Sequence, residues 1–317
     1  MNSAFFLKHS KESNVVWRFL SDIREVVSRF SIDTTIFAYE GLGGSIYRKA
    51  LYPRYKWKRR ENREKSTVAE KRSVEIFLEQ VNDLIETSKH FGIKTINVNG
   101  SEADDVVSYL INNIDNEKYQ VLLLSTDSDL NQLLRPNIVQ GSYGKDLAAG
   151  IRAGNIPASI FKNSAQFQKE SNLTPEKYTL AKILSGDTSD SIAGFDGIGE
   201  KTAMLLIEKY GDFQGILNNI ETLKVPRLQQ KSIDHMKNSF EEITELNYKL
   251  INLNWSKEEF MGILGVEGVN KLDAFLVDID KPLEIDKKAI EELCYEQGRI
   301  DIVDKLDFFL HPFQNKA

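Results

Sequence analysis

Three short apolar runs set the frame for this chain. Thr34–Tyr39 (TTIFAY), Ile93–Val98 and Gln120–Ser125 (QVLLLS) are β-branched, aromatic or leucine-rich, and each is too short for a helix. Helical periodicity fills the spaces around them. Val15–Phe30 has apolar residues at 15, 16, 19, 20, 23, 26, 27 and 30, and Val68–His90 and Ser101–Ile114 follow the same spacing. Strand and helix in this alternation predict a parallel sheet with helices on its faces, because parallel strands need a crossover to join them. The third run, apolar throughout, predicts a strand buried on both faces. The fold class expected is α/β.

After about residue 172 the rhythm changes. Helical periods follow one another at Pro175–Leu184, Lys201–Tyr210 and from Ser232 onward, and strand candidates become scarce. A domain boundary is therefore expected near residue 170. That gives an α/β domain over 1–170, a helical domain over 171–280, and a tail over 281–317 without assignable character. A length of 317 residues suits two domains of roughly 100–200 residues each. No apolar run approaches the ~20 residues of a membrane helix, and Lys8–Glu12 interrupts the short Phe5–Leu7 run that a signal peptide would extend. The single cysteine, Cys294, excludes an internal disulfide and a cysteine zinc cluster. A cytoplasmic monomer is expected.

The net charge of −6 conceals a polarised chain. Between Arg48 and Lys65, eighteen residues carry nine basic side chains and two acidic ones, interleaved with Tyr52, Tyr55 and Trp57 just after Tyr47. The remainder is correspondingly more acidic. Such a chain is read by where its charges sit.

Its acids fall where a parallel sheet binds ligands, just beyond the carboxyl ends of strands. Glu40 follows the first run. Glu102, Asp104 and Asp105 follow the second, in Ser101-Glu-Ala-Asp-Asp. Asp127 and Asp129 follow the third, in Ser125-Thr-Asp-Ser-Asp. Asp187 and Asp190 come later, in Gly186-Asp-Thr-Ser-Asp. Taken singly, each group also reads as helix caps and turn residues. Gathered in one cleft they would repel one another unless cations lay among them. Oxygen donors with few histidines favour Mg²⁺ or Mn²⁺ over zinc, and two such ions about 4 Å apart would clamp a phosphodiester for attack by water.

Four ordered motifs carry a resemblance. They are Glu40-Gly-Leu-Gly-Gly-Ser-Ile-Tyr-Arg48 leading to Pro53-Arg-Tyr-Lys56, then Ser101–Asp105, Ser125–Asp129, and the run Gly186–Gly199. Together they resemble the 5′ nucleases of flap endonuclease type, among them bacteriophage and bacterial 5′–3′ exonucleases and the 5′-nuclease domain of bacterial DNA polymerase. The resemblance implies a resolvase-like (PIN-like) domain with a helical arch over about 44–90. It implies a first metal site at Glu40, Glu102 and Asp104 with Asp105 close by, and a second at Asp127, Asp129, Asp187 and Asp190. Tyr55 would stack on a terminal base and Lys56 would neutralise charge at the scissile phosphate. Arg48, Lys58, Arg59 and Arg60 in the arch would hold the DNA backbone. A helix–hairpin–helix over 194–210 would present Gly197, Gly199, Lys201 and Thr202 to duplex phosphates and hold K⁺. Implied partners are DNA with a 5′ single strand or flap beside duplex, RNA–DNA hybrids, and replication proteins.

The resemblance also implies an opening strand that ends in a metal-binding aspartate. Met1-Asn-Ser-Ala-Phe-Phe-Leu is similar to the segment just after it, and no aspartate precedes Asp22. Either the sequence starts at an internal methionine, or the first metal site is incomplete and the chain is a catalytically impaired protein that binds branched DNA. A metal-dependent ribonuclease of the related toxin type is disfavoured, because those domains are short and lack the hairpin element.

Overall fold

The computed structural model describes residues 15–314. Val15–Phe30 forms helix α1 and Ile36–Ala38 forms strand β1. The basic stretch becomes two short helices, α2 (Ile46–Leu51) and α3 (Trp57–Lys65), ahead of the 23-residue helix α4 (Val68–His90). Thr67 starts α4 with a reciprocal capping box to Glu70. The first turns of α4 are exposed, and only Leu84, Ile85, Thr87 and Ser88 near its end are buried.

Strand β2 (Lys94–Ile96) lies parallel to β1, with Ile36 opposite Lys94. Helix α5 (Ala103–Asn113) leads to β3 (Val121–Leu124), which pairs in parallel with β4 (Ile138–Gly141). Helix α6 (Lys145–Ala153), a short antiparallel strand β5 (Phe161–Lys162) and helix α7 (Ser164–Ser171) complete this part.

The β1–β2 and β3–β4 pairings are parallel, as the strand spacing predicts, but among the described residues these strands fall in two separate pieces, β1–β2 and β3–β4–β5, with β5 antiparallel. The expectation of full burial for the third run is therefore corrected. Every residue of β3 is partly exposed. Val121 and Leu123 pack on one face against Leu130, Leu133 and Ile138, while no second hydrogen-bonded strand among the described residues covers the other edge. Met1–Leu7, which carries the expectation of a missing strand, lies outside the described residues.

The helical part follows. Helix α8 (Pro175–Ser185) begins with Thr174 as cap and Pro175 in the first turn, and a hairpin of β6 (Gly186–Asp187) and β7 (Ile192–Ala193) follows it. Helices α9 (Glu200–Tyr210), α10 (Phe213–Asn218) and α11 (Gln230–Ile251) close around Leu184, Phe195, Leu206, Ile207, Ile216 and Met236.

Packing moves the boundary expected at residue 280. Helix α12 (Lys257–Val277) returns to the α/β part, where Phe260, Ile263 and Leu272 pack with Val98, Val106 and Tyr109. The tail is helical too, as α13 (Lys287–Glu296), α14 (Ile300–Val303) and α15 (Leu306–Gln314). Ile290, Cys294, Leu306 and Leu310 join Trp17, Leu20, Phe91 and Ile93 in one buried cluster. Trp17 Nε1 donates to Gln297 Oε1 at 2.6 Å, and Arg24 Nε donates to the Phe309 carbonyl at 2.9 Å. Helix α1 and the tail helices thus share the first core. No described helix is long and apolar enough to cross a membrane.

Candidate active site

One cleft collects the acids. Glu102, Asp104, Asp129, Asp187 and Asp190 line it together with Arg48 and Tyr55, over a floor of Ile192, Leu250, Ile251 and Leu253. Three separate pieces of chain deliver the acids. Glu102 is the N-cap of α5 and Asp104 sits in its first turn. Asp129 lies in the first turn of the 3₁₀ helix Ser128–Leu133, and Asp187 and Asp190 belong to the β6–β7 hairpin.

Local structure and site share the same side chains. Asp187 Oδ1 accepts from the amides of Ser189 at 2.7 Å and Asp190 at 3.2 Å, which fixes the hairpin turn and leaves Oδ2 for the cleft. Asp127 Oδ1 accepts from the Asp129 amide at 2.9 Å, and Asp105 Oδ2 from the Glu102 amide at 3.1 Å. Cap, turn and site acid are therefore not competing roles here.

The base of the basic segment reaches into the cleft. Arg48 is 3% exposed and forms a bidentate pair with Asp105 at 2.7 and 2.8 Å. Its Nε donates to the Leu250 carbonyl at 2.9 Å, and its Nη1 lies 3.5 Å from Glu102 Oε2. The Tyr55 hydroxyl is 2.7 Å from Glu102 Oε2 and 2.9 Å from Asp190 Oδ2; its single proton serves one of them at a time. Burial, then the neighbouring Glu102, pushes that phenol far above its ordinary range, so it acts as a neutral donor.

Lys56 ion-pairs with Glu102 and stands 3.8 Å from Asp190. It adopts a left-handed backbone (φ 56°), and its amide donates to the Asp190 carbonyl at 2.8 Å. The Lys58 amide meets Ser191 Oγ at 3.3 Å, so the segment is stitched to the hairpin by backbone as well as by charge. Burial works against the charge on Glu102, but Lys56 and Arg48 outweigh it and hold its carboxyl below the usual range.

A different balance holds elsewhere in the cleft. Burial first, then Asp127, Glu102, Asp105 and Asp129, pushes the Asp104 carboxyl up to about 7, and no lysine or arginine pairs with it among the described residues. Asp129 is raised by burial despite Lys182, whose ammonium pairs with it and lies 3.4 Å from Asp187 Oδ2. The acids line the cleft rather than converge on one point: among the described residues no three of them already form a metal-holding group. Their chemistry, oxygen-only donors with a half-buried Asp104 that no lysine or arginine pairs among the described residues, suits a hard divalent cation.

Comparison with known proteins decides the family. The N-terminal resolvase-like domain model of 5′–3′ exonucleases matches residues 2–153, and the C-terminal SAM-fold model matches residues 173–259. The chain belongs to the 5′–3′ exonuclease family. A 5′–3′ exonuclease of Buchnera aphidicola is 31% identical over 180 residues, covering 56% of this chain and 58% of that one, so the chain spans little over half the length of this relative. The flap endonuclease of Escherichia phage T5 is 28% identical over 279 residues, 88% of each chain. A structure of the phage T5 5′-exonuclease with divalent metal ions (zinc) bound superposes with a TM-score of 0.72 at 25% identity, over 88% of this chain and 96% of that one. A complex of the T5 flap endonuclease with DNA and metal ions gives 0.72 at 26% identity, over the same 88% and 96%.

In this member of the family the residues expected from sequence separate by position. Five of the acids line the cleft, and Asp127 acts on Asp104 from beside it. Asp105 is 1% exposed behind the cleft, its carboxylate taken up by Arg48 and the Glu102 amide. Glu40 is exposed on the Gly41–Gly44 turn and does not line the cleft. Its carboxylate lies against Gly44, where an added Cβ would fall 1.9 Å from Oε1.

Two expectations are corrected by burial. Arg48 faces carboxylates inside the protein instead of offering itself to a nucleic-acid backbone. Tyr55, 2% exposed, has no free face on which a base could stack. Lys58, Arg59 and Arg60 are exposed on α3, and Arg59 Nη2 reaches back to Asp190 at 2.7 Å. Gly197, Gly199 and Lys201 are exposed around the turn into α9. Gly197 holds φ 74°, a left-handed conformation that favours glycine, and Gly199 caps α9 without a side chain. Thr202 is buried.

Lys182 was not expected from sequence. Its signal is a charged residue set among Ala181, Ile183 and Leu184, each 0% exposed, five positions before Asp187. A lysine on such an apolar face must find buried acids.

Proposed function

We propose that this chain is a divalent-metal-dependent, structure-specific 5′ nuclease. It would hydrolyse DNA phosphodiesters near a single-strand/duplex junction, leave a 5′-phosphate, and accept RNA in RNA–DNA hybrids, in replication or repair. The observation that carries this reading is the cleft itself: five carboxylates gathered from three segments of chain, with an exposed basic helix beside them. The match to a T5 enzyme solved with DNA and metal ions supports it.

The residues present fit a hard cation. Asp104, Asp129, Asp187 and Asp190 would hold Mg²⁺ or Mn²⁺ with Glu102, and such ions would polarise the phosphoryl oxygen and lower the pKa of a bound water. The chain's own part is orientation and charge. Arg48 and Tyr55 fix Glu102, and Tyr55 also fixes Asp190. Lys56, already beside the acids, is placed to neutralise charge that builds on the scissile phosphate. Exposed Lys58, Arg59 and Arg60 would attract the 5′ strand, and the turn at Gly197–Gly199 with Lys201 would hold duplex phosphates through backbone amides, with K⁺ as its cation.

The test is a labelled 5′-flap duplex with and without Mg²⁺. Cleavage at the junction that EDTA abolishes is expected. Asp187→Ala should remove cleavage and keep DNA binding, and Lys56→Ala should slow cleavage about 10²–10³-fold, the usual size for a group that acts on transition-state charge. Flap binding that persists with no cutting at any Mg²⁺ or Mn²⁺ level would replace this reading with that of a branched-DNA-binding protein.

A further inference from the structure

The two kinds of cation in the cleft are held differently. Arg48 is fixed at both ends of its guanidinium, by two bonds to Asp105 and one to the Leu250 carbonyl. Lys182 has no such anchor. Its ammonium contacts Asp129 Oδ1 and Asp187 Oδ2, and its side chain is 9% exposed. Asp187 Oδ2 is the oxygen that the hairpin amides leave free, since Ser189 and Asp190 both use Oδ1. The lysine therefore sits on the donor atoms that a divalent cation would need. A lysine head on a flexible four-carbon stem can leave by rotamer change alone, whereas a bidentate arginine cannot leave without breaking several bonds at once.

Resting on the metal-dependent reading above, we propose that Lys182 is the resident counter-cation of Asp129 and Asp187, and that divalent binding at this pair proceeds by exchange with it. Without metal, the ammonium stops two half-buried carboxylates from repelling each other. With metal, it is released on its helix next to the cleft, where the nearest new anion is the phosphodiester of a bound substrate. The arrangement resists two failures: a half-empty acidic cleft that unfolds, and a metal site so strong that nothing else adjusts around it.

The experiment measures Mn²⁺ and Mg²⁺ binding to the full chain by calorimetry without DNA, alongside thermal unfolding in EDTA and in each metal. Lys182→Met should lower the EDTA midpoint, tighten Mn²⁺ binding by about tenfold, within the usual range for coupled binding events, and enlarge the metal-induced rise in midpoint. Lys182→Arg keeps a competing cation with a firmer grip, so its metal binding should equal or fall below that of the parent chain. A purely structural lysine would lower the midpoint equally with and without metal and leave the metal dissociation constant unchanged, and that result overturns the proposal. If Lys182→Met does not fold, tighter or unchanged binding across a Lys182→Gln and Lys182→Arg pair decides it in the same way. Absence of divalent binding by the parent chain would overturn the metal-dependent reading itself, an outcome distinct from equal binding by parent and variant.

Discussion

The basic segment has two halves with similar composition and opposite placement. In Ile46–Lys56, Arg48 and Tyr55 are buried and Lys56 is half-buried, and all three are spent on Glu102, Asp105 and Asp190. In Trp57–Lys65 no residue is buried; Lys58 and Arg60 stand in solvent, and exposed Arg59 reaches back to Asp190 at 2.7 Å. The first half completes the acidic cleft from inside, and the second leaves positive charge at its mouth. A run of lysine and arginine is therefore not one feature. Arg48 and Lys56 in its first stretch are part of the site's internal charge balance, whereas its exposed cations, Lys49 and Arg54 among them, are available to a polyanion.

The strongest way to break this comparison is Arg48→Ala. If the lower half is structural, removing the guanidinium strands Asp105 as a buried, unpaired carboxylate and also frees the Leu250 carbonyl. Breaking such a pair costs about 3–5 kcal/mol, read from urea unfolding with and without the substitution. Arg48→Lys should recover part of the loss, because an ammonium cannot reproduce the bidentate fork. A loss below about 1 kcal/mol would put Arg48 in the class of surface cations after all.

Asp104 sharpens the same contrast, as the cleft acid that the lower half leaves without a cation. Its folded carboxyl titrates near 7 against an ordinary 3.8. Between those values the folded chain holds a proton that the unfolded chain has released. The stabilising contribution is thus complete below about pH 4 and is lost as pH rises through about 7. In EDTA, stability should fall by a few kcal/mol from pH 5 to pH 8, and Asp104→Asn should flatten the fall. Adding Mg²⁺ at pH 8 should restore much of it. An unchanged slope in Asp104→Asn would assign the pH response to other acids.

Much of this was legible in the sequence, and the remainder has identifiable causes. Helix periods placed α1 and α4 at their observed bounds, because long amphipathic patterns carry many concordant positions. Six of the acids were found because they follow strand ends, and Asp187 and Asp190 from the Gly186-Asp-Thr-Ser-Asp run. What sequence spacing lacks is depth. It could not tell Asp105 from Asp104, adjacent residues of which one turns to Arg48 and the other to the cleft. It could not separate Tyr55 as a buried donor from Tyr55 as a stacking platform, since an aromatic beside basic residues suits both. Glu40 has the right position in the chain but sits on a glycine turn that points its carboxylate at Gly44. The tail was opaque for another reason: α13–α15 are short, and their apolar residues complete a core whose other half lies nearly 280 positions earlier, as the Trp17–Gln297 bond shows.

The upper half gives the smallest effect and the most discriminating one. Lys58→Ala removes an exposed ammonium whose side chain holds nothing in the fold, although its backbone amide still meets Ser191. Unfolding should stay within about 0.5 kcal/mol of the parent chain. Flap binding should weaken only several-fold, with the log–log salt slope reduced by about 1, because one phosphate contact releases about one counterion. Arg60→Ala should cost slightly more stability, since Arg60 also lies over the Trp57 ring at 5.1 Å and donates to the Pro53 carbonyl at 3.0 Å. A change in salt slope without a change in stability is the signature that Arg48→Ala must lack if the two halves differ as their burial says. If both substitutions shifted slope and stability together, the segment would act as one surface and the division at Lys56 would fail.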